Sequence, residues 1–475
     1  MVFSSLFFLY LFLPLNLIVY KFVPGIKAKN ITMLIFSLIF YAWGEPVYVL
    51  LLVSMTVADY YLALAMEKCE PRSKKAKLLL SAACIVNLGM LGVFKYGAFL
   101  LSNVKWLTGF PSSVPEVALP IGISFYTFQL ISYVVDVYRG EIKAQKSFYL
   151  LLLYVSMFHQ CIAGPIVRYK DVYPKLLERR TTYAGISDGI WRFCTGLAKK
   201  AILANACGSV ADSLLKTEGL STAPAFSIWV GVFAFSLQIY FDFSAYSDMA
   251  IGMGKMIGIT YRENFDYPYI AGSVSEFWRR WHISLGSFFK DYVYIPLGGN
   301  RKGRLRTVIN LFTVWALTGL WHGASWNFVL WGLYFFVFIC IEKLFFNKLL
   351  KKVRFLPHLY LCIVVFFGWI LFKFTSLGDV LISLKGMFGL NGNVFWDFES
   401  GAIIKSNMFI LLFCAVFSTP IAKRIGELFK YRLIYKRWAQ VLFAVGKIAL
   451  PIILLLLSTA ALIGDTYNPF LYFRF

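Results

Sequence analysis

The sequence predicts an all-α, polytopic membrane protein with roughly eleven or twelve transmembrane helices and additional re-entrant or interfacial helices. Hydrophobic residues make up 59% of the 475-residue chain and aromatic residues 19%, which is too apolar for a soluble multidomain protein. The apolar runs do not alternate with polar residues, so they do not match the strands of a membrane β-barrel. We expect residues 1–475 to form a single integral-membrane domain.

The formal net charge of +23 comes from basic residues that cluster in short loops between apolar runs. This distribution is the positive-inside bias of membrane proteins. Because no basic domain outside the membrane exists to hold it, nucleic acid is not an expected partner, whereas membrane lipids are. The eight cysteines are scattered, with no CxxC pair, and are interpreted as small core residues.

The first half of the chain begins with a helix near residues 3–22. It has no basic segment before it and lysines after it, so we expect a retained helix with its N-terminus outside. Further crossings are predicted near residues 31–43, 47–66, 78–101 and 119–137.

Residues 147–165 are apolar, yet basic residues flank them on both sides. Either the positive-inside rule fails here or the segment is re-entrant. We favour a re-entrant segment that ends at Ala163-Gly164-Pro165, because Gly-Pro breaks a helix and irregular backbone is tolerated where protein covers it.

The second half contains a weak helix near 201–215 and a long apolar run near 224–252, followed by a broad basic region over 255–306. No internal repeat is apparent, which argues against an inverted-repeat transporter. The C-terminal segment 465–475 is expected outside, and residues 423–437 form a basic loop. The remaining crossings are predicted near residues 307–322, 326–341, 358–374, 403–421 and 440–463.

His322 lies in the uncharged stretch 311–332, within Trp321-His322-Gly323-Ala324-Ser325-Trp326-Asn327. An ionisable group in hydrocarbon is costly and indicates a functional site. A helix from Thr307 places His322 roughly 22 Å from the cytoplasmic edge, past the middle of a ~30 Å core. A neutral imidazole there can act as a general base towards a hydroxyl. The alternative is a structural histidine bonded to a neighbouring helix.

His282 follows Arg279 and Arg280 in the segment Phe277-Trp-Arg-Arg-Trp-His-Ile-Ser-Leu285. Two guanidinium groups suit the phosphates of a phosphorylated or coenzyme A donor. The alternative is a solvated basic loop whose arginines reach the lipid headgroups.

A third polar cluster lies on the long apolar run, where Gln238 and Asp242 share one helical face and Ser244 and Asp248 an adjacent one. Carboxylates in a membrane helix must face protein or water. They either line an aqueous cavity, pair with Arg279 and Arg280, or form buried pairs that only hold helices together. The residues expected to line a tunnel or support the site are Trp321, Ser325, Asn327, Gln238, Tyr240, Asp242, Ser244, Tyr246 and Asp248.

Other kinds of site receive little support. His159 and His358 are expected to pack or to lie at the interface. No HxxxH or HExxH spacing is present, so no metal site is predicted. GxSxG, P-loop and Rossmann glycine patterns are also absent, which leaves group transfer or transport.

Many motifs in one order resemble the membrane-bound O-acyltransferase superfamily, in particular its bacterial alginate O-acetyltransferase-like branch. The resemblance covers nearly the whole chain. Its motifs are Phe40–Gly44, Pro120–Phe125, Ala163–Ile166, Gln238–Asp248, Phe277–Leu285, Tyr294–Gly299, Trp321–Gly323 and Asn468–Phe473.

The resemblance implies that an acyl group crosses the membrane and is placed on a hydroxyl. His322 corresponds to the family's catalytic histidine and His282 to its second histidine. The implied donor is acetyl-CoA or another cytoplasmic acyl thioester, used as a substrate with no bound cofactor. The implied acceptor is an exported polysaccharide or an extracytoplasmic SGNH-type esterase-like partner protein. The implied location is the bacterial cytoplasmic membrane.

Three alternatives stay open from the sequence. A related branch transfers D-alanine to teichoic acid, and other members acylate lipids or proteins. A small-anion transporter, which belongs to another class, would also have buried polar groups and a basic mouth.

Overall fold

The computed structural model describes residues 1–110, 113–115, 117–161, 164–344 and 355–464. Within these ranges every regular element is helical, which confirms the all-α prediction. In chain order the α-helices are α1 (Leu13–Phe22), α2 (Gly25–Gly44), α3 (Tyr48–Glu67), α4 (Lys74–Leu91), α5 (Gly97–Thr108), α6 (Ile123–Tyr138), α7 (Phe148–Ser156), α8 (Phe158–Cys161), α9 (Tyr169–Leu177), α10 (Tyr183–Ala198), α11 (Asn205–Leu214), α12 (Ala225–Met256), α13 (Val274–Arg280), α14 (Ile283–Phe289), α15 (Gly303–His322), α16 (Trp326–Leu344), α17 (Leu356–Lys373), α18 (Leu377–Met387), α19 (Phe398–Phe417), α20 (Ile421–Leu433) and α21 (Arg437–Gly464). Four π-helical segments also occur, Phe8–Phe12, Gly92–Tyr96, Lys199–Ala204 and Lys290–Tyr294, together with a 3-10 turn, Pro268–Ile270.

Among the described residues, eight helical segments are long and apolar enough to cross a membrane. Phe8–Phe22 is a shorter apolar helix. Two further predicted crossings are α6, which has 16 residues, and α15, which carries two arginines in its first turn. The eight segments are α2, α3, the run α4–α5, α12, α16, α17, α19 and α21.

The apolar segment 147–165 does not form one crossing helix. Helix α7 has nine residues and α8 has four, with a break at Met157. At about 1.5 Å per residue, neither approaches the ~30 Å of a bilayer core. Both helices are largely buried, so protein covers the break as the re-entrant interpretation requires. Of the predicted end of this segment, Ala163 lies outside the described residues.

Two element predictions need correction. The weak helix predicted near 201–215 is the end of a longer helical run that begins at Tyr183 and continues through the π-helical segment to Leu214. The basic loop predicted at 423–437 is largely helical, because α20 arranges its apolar residues on one face. Residues 345–354 of a predicted basic loop, and the C-terminal segment 465–475 with its Asn468–Phe473 motif, lie outside the described residues.

The chain divides into two compact units. The first contains residues 1–193 and 249–262, and its core is formed by α2, α3, α4, α6 and α7. Within it, Asn87 on α4 donates a hydrogen bond to the buried carboxylate of Asp59 on α3, at 2.7 Å. Gly189 and Gly252 let α10 and α12 approach closely, since a Cβ on either glycine would lie 2.7 Å from the other's carbonyl oxygen.

The second unit contains residues 194–248 and 263–475, and its best-packed element is the α15–α16 hairpin. Gly319 and Gly332 face each other in this hairpin. A Cβ on Gly332 would lie 3.0 Å from the Cα of Gly319 and would overlap the carbonyl of Trp315. This backbone contact fixes the position of the last turn of α15, which ends at His322.

Candidate active site

The short helix α13 leads directly into the His282 segment, and both ends of its first turn are capped. The Ser273 side chain accepts a hydrogen bond from the backbone N–H of Glu276, at 3.1 Å. The Glu276 carboxylate accepts one from the N–H of Gly272, at 2.9 Å. This reciprocal arrangement resembles a capping box and explains why a helix begins here.

A buried carboxylate from α16 holds the same helix end. Glu342 accepts hydrogen bonds from the backbone N–H and the hydroxyl of Ser275, at 2.9 and 2.7 Å, and also bonds the N–H of Val274. Its negative charge lies against the positive end of the α13 dipole, which is a stabilising position for a carboxylate. Through Glu342, the hairpin helix α16 therefore positions the residues that precede His282.

His282 lies in the turn between α13 and α14 and is 2% exposed. Its backbone is left-handed, with φ 45° and ψ 54°, a conformation that is uncommon for a residue with a Cβ. Asn264 supports this turn. Its backbone carbonyl accepts the N–H of Ile283 at 3.0 Å, and its side-chain oxygen accepts the N–H of Ser284 at 3.0 Å.

His322 is the last residue of α15, where the chain turns extended at Gly323. Aromatic rings surround its buried imidazole: Trp331 on α16 lies 4.8 Å from it and Phe372 on α17 lies 5.3 Å away, between ring centroids. Gly323 is required for this packing, because a Cβ there would overlap the ring of Phe328. The helix begins at Gly303 instead of Thr307, so His322 lies at the far end of a full 20-residue helix.

The indole of Trp321 contacts both histidines. Its centroid lies 5.6 Å from the His282 imidazole and 5.0 Å from that of His322, with edge-to-face geometry in each case. Two histidines that are 40 positions apart in sequence therefore share one aromatic neighbour. The folded chain brings the two predicted catalytic residues into one site.

A cavity of about 560 Å³ opens beside His282. The buried residues Trp281 and His282 lie on its wall together with the exposed cations Arg279 and Lys290. No Asp or Glu belongs to its described lining. The cavity therefore combines aromatic and apolar walls with positive charge, which suits a ligand that carries both a ring or acyl portion and anionic groups.

The two neighbouring arginines occupy different environments. Arg279 lines the cavity. Arg280 is bound by carboxylates, with a guanidinium–carboxylate distance of 2.9 Å to Glu276 and 3.1 Å to Asp266. Arg279 is therefore accessible to a ligand in the cavity, whereas Arg280 connects α13 to the segment that contains Asp266.

The carboxylates of the third polar cluster pair with lysines that were not considered from the sequence. Asp242 lies 2.7 Å from Lys200, and both side chains are almost fully buried. Asp248 lies 2.7 Å from Lys199, a partly exposed residue. The proposed pairing with Arg279 and Arg280 is therefore wrong for these ion pairs. Both lysines begin the π-helical segment Lys199–Ala204, so the cluster connects that segment to α12.

The other predicted supporting residues lie in the same unit, where all are buried except the half-buried Ser325. Tyr240 packs among aromatic rings, with Tyr269 at 5.6 Å and Phe265 at 6.2 Å. Ser325 donates to the side-chain oxygen of Asn327, and Asn327 donates to the carbonyl of Leu371 on α17 at 3.2 Å. None of the following lines the described cavity: Gln238, Tyr240, Ser244, Tyr246, Ser325 and Asn327.

The remaining histidines lie outside this arrangement. His159 is buried in the first unit against Phe158, at a centroid distance of 4.3 Å. His358 begins α17, and its Nδ1 donates to the carbonyl of Ala271 at 3.1 Å. These positions agree with the packing and interfacial roles expected for them.

Sequence reasoning missed several residues that build the site. Lys199 and Lys200 precede the helix predicted near 201–215 and resemble loop charges, and only Asp242 and Asp248, six positions apart on α12, hinted at buried cationic partners. Glu342 follows the predicted crossing 326–341, where a charge indicates only the end of the membrane segment. Asn264 carries no local pattern, because its partners are the His282 imidazole and two backbone N–H groups, 18 to 20 positions away.

Sequence comparison identifies the family. The profile described as "MBOAT, membrane-bound O-acyltransferase family" matches residues 141–382, which include both histidines and the cavity. The chain belongs to the membrane-bound O-acyltransferase family. Membership makes this multi-pass membrane protein an acyltransferase, and it decides against the small-anion transporter.

Relatives in the family support the predicted branch. The chain is 36% identical over 504 residues to "Probable alginate O-acetylase AlgI" of Pseudomonas putida, covering 100% of both chains. It is 38% identical over 421 residues to the Azotobacter vinelandii protein of the same name, covering 88% of this chain and 84% of that one. It is 35% identical over 429 residues to "Peptidoglycan O-acetyltransferase" of Helicobacter pylori, covering 82% and 80%.

The buried Lys200–Asp242 pair yields a stability prediction. Lys200→Met removes the positive charge that faces a buried carboxylate, and we expect a loss of about 3–5 kcal/mol in the free energy of unfolding. The double variant Lys200→Met/Asp242→Asn should recover most of it, since neither charge is then buried. The measurement is the thermal unfolding of purified protein in detergent.

A matched control is the more exposed pair Lys373 and Asp212 in the same unit. Lys373→Met should cost only about 0–1 kcal/mol. Equal destabilisation by the two lysine substitutions, or no recovery in the double variant, would contradict a strong buried pair.

Proposed function

We propose that this protein is an O-acetyltransferase of the bacterial cytoplasmic membrane. It takes an acetyl group from a cytoplasmic thioester donor, acetyl-CoA or another acyl thioester, and places it on a hydroxyl outside. The observation that carries the proposal is that His282 lines the cavity and that the indole of Trp321 contacts both His282 and His322. The relatives named for alginate and peptidoglycan O-acetylation support acetyl as the acyl group.

The donor end of the proposal rests on the cavity. Arg279 and Lys290 at its exposed part match the phosphates of an anionic donor, and the aromatic walls match a purine ring or a pantetheine-like arm. His282 lies at the buried part of the lining, where the thioester would be held. This division of charge and apolar surface orients the acyl group inward.

The chemical step is an acyl substitution at the thioester carbonyl. His322 takes the proton from the acceptor hydroxyl as its oxygen bonds to the carbonyl carbon. The carbon–sulfur bond then breaks, and the thiolate leaves with the electron pair and takes the proton from the His322 imidazolium, which restores the neutral ring. The products are the O-acetyl ester and the free thiol, so atoms and charge balance. The apolar rings around His322 keep water from competing for the acyl group.

The acceptor is an exported polysaccharide, or an extracytoplasmic SGNH-type partner protein that passes the acetyl group to one. The similarity to enzymes named for two different polysaccharides supports this class.

Removal of the catalytic imidazole tests the proposal. His322→Ala should reduce acetyl transfer at least about 100-fold, because general-base catalysis contributes roughly 10²–10⁴ to such a step. The measurement is the O-acetyl content of the surface polysaccharide, with the membrane level of the protein monitored in parallel. His358→Ala is the matched control and should leave transfer unchanged. Normal acetyl content in the His322 variant would contradict the assignment.

The two arginines offer a second test. Arg279→Gln should raise the KM for the thioester donor about tenfold, since one charge-assisted contact to phosphate is worth about 1.5–3 kcal/mol. Arg280→Gln should leave that KM within about twofold, because its partners are Glu276 and Asp266. The measurement is the initial rate against donor concentration in purified protein. A larger effect at Arg280 than at Arg279 would overturn the donor position.

A further inference from the structure

Asn264 contacts His282 and the two residues that follow it, although no sequence pattern indicates this. It is completely buried, 18 positions before the histidine. Its side-chain oxygen lies 3.0 Å from the N–H of Ser284 and 3.3 Å from Nδ1 of His282. Its backbone carbonyl accepts the N–H of Ile283 at 3.0 Å. One residue therefore binds three consecutive residues of the left-handed turn.

The orientation of the Asn264 amide follows from these contacts. A backbone N–H can only donate, so the atom that faces the N–H of Ser284 must be the side-chain oxygen and not the nitrogen. The same oxygen also faces Nδ1 of His282. The Ser284 hydroxyl, which can accept as well as donate, lies 3.4 Å from the same nitrogen. Because an amide oxygen can only accept, the contact with Asn264 favours a proton on Nδ1, and the Ser284 hydroxyl can then also accept from it.

A proton on Nδ1 determines the chemistry of the other ring nitrogen. In a neutral imidazole, Nε2 then has a lone pair and accepts hydrogen bonds. Burial lowers the pKa of His282 to about 3, so the ring is neutral at physiological pH. Nε2 is buried and has no hydrogen-bond partner among the described residues. A ligand that reaches Nε2 can therefore bind it through an N–H or O–H donor.

The surroundings of His282 reinforce this state. The rings that contact it are uncharged: Phe243 at 4.7 Å and the indole of Trp321 at 5.6 Å. The charged groups that share its cavity are Arg279 and Lys290, and both oppose protonation of the ring. The left-handed backbone of His282 also needs support, since a residue with a Cβ rarely adopts this conformation.

We propose that Asn264 is the positioning residue of the site, which holds His282 in the Nδ1–H tautomer and leaves Nε2 as an acceptor for the bound donor molecule. The tautomer is inferred from the contact of Nδ1 with the Asn264 amide oxygen. Its importance for acyl transfer rests on the proposed function.

The tautomer can be measured directly. The chain has four histidines, so a ¹⁵N-histidine spectrum of the full-length protein in nanodiscs contains few signals, and His282→Gln identifies the one that matters. We expect the wild-type signal to be that of a neutral ring protonated at Nδ1. Asn264→Ala should convert it to a mixture or to the Nε2–H form. A wild-type ring protonated at Nε2 would overturn the proposal without any substitution.

Two further variants separate positioning from general stability. Asn310 is another buried asparagine of this unit, and it donates to the carbonyls of Leu297 and Gly299 away from His282. Asn310→Ala should leave the His282 signal unchanged. Asn264→Asp keeps both acceptor contacts and should restore the Nδ1–H signal. An Asn264→Ala spectrum that still shows the Nδ1–H ring would overturn the proposal.

Transfer rates connect the tautomer to function. In Asn264→Ala we expect kcat to fall at least tenfold together with the change of tautomer. A changed tautomer with an unchanged rate would overturn the positioning role. Failure of the proposed function is recognised separately, since a His322→Ala protein with normal transfer would contradict it and leave the His282 spectrum as predicted.

Discussion

The close contact between α15 and α16 at Gly319 and Gly332 is the interaction on which the candidate site depends. It fixes the end of α15, and with it His322, against Trp331 of α16. The far end of α16 carries Glu342, which binds the first turn of α13. One helical hairpin therefore positions both histidines, one through its own last turn and the other through a carboxylate that caps a neighbouring helix.

The cost of burying charge shapes the rest of the second unit. Lysine and aspartate side chains lie within its helical segments. The ion pair between Asp242 and Lys200 compensates for the hydration that both charges lose on burial. The pair connects the π-helical segment 199–204 to α12. Phe243, the residue after Asp242 on α12, contacts His282. The buried charges do not line the cavity. They hold α12 in place, and α12 carries the phenylalanine that packs against His282.

Much of this arrangement could be predicted from residue patterns. Apolar runs gave the helices, and a histidine in an uncharged stretch pointed to the site because hydrocarbon penalises ionisable groups. The order of motifs indicated the acyltransferase family, which sequence comparison confirmed. The depth of His322 and the topology of the loops stay predictions.

Other features could not be predicted, because they depend on which groups meet in space. Arg279 and Arg280 are neighbours with the same side chain, and the sequence does not distinguish their roles. In the structure Arg279 lines the cavity, whereas Arg280 forms ion pairs with carboxylates. Asn264 contacts the imidazole of His282 and two backbone N–H groups, all distant in sequence, so no local pattern indicates it. Of the alternatives open for Asp242, the structure shows a buried ion pair, and its partner Lys200 could not be chosen from the sequence because a lysine next to a predicted helix looks like a loop charge. The short helix α13 was not predicted, because its start depends in part on the tertiary contact with Glu342.

The central claim is that acyl transfer takes place through this chain and needs His322. The most direct measurement uses purified protein in liposomes, with acetyl-labelled acetyl-CoA on one side and a polysaccharide acceptor on the other. The account predicts labelled ester on the polysaccharide with the wild-type protein and none with His322→Ala, while the CoA portion stays on the donor side. Passage of intact donor across the bilayer, or equal labelling by the His322 variant, would contradict it.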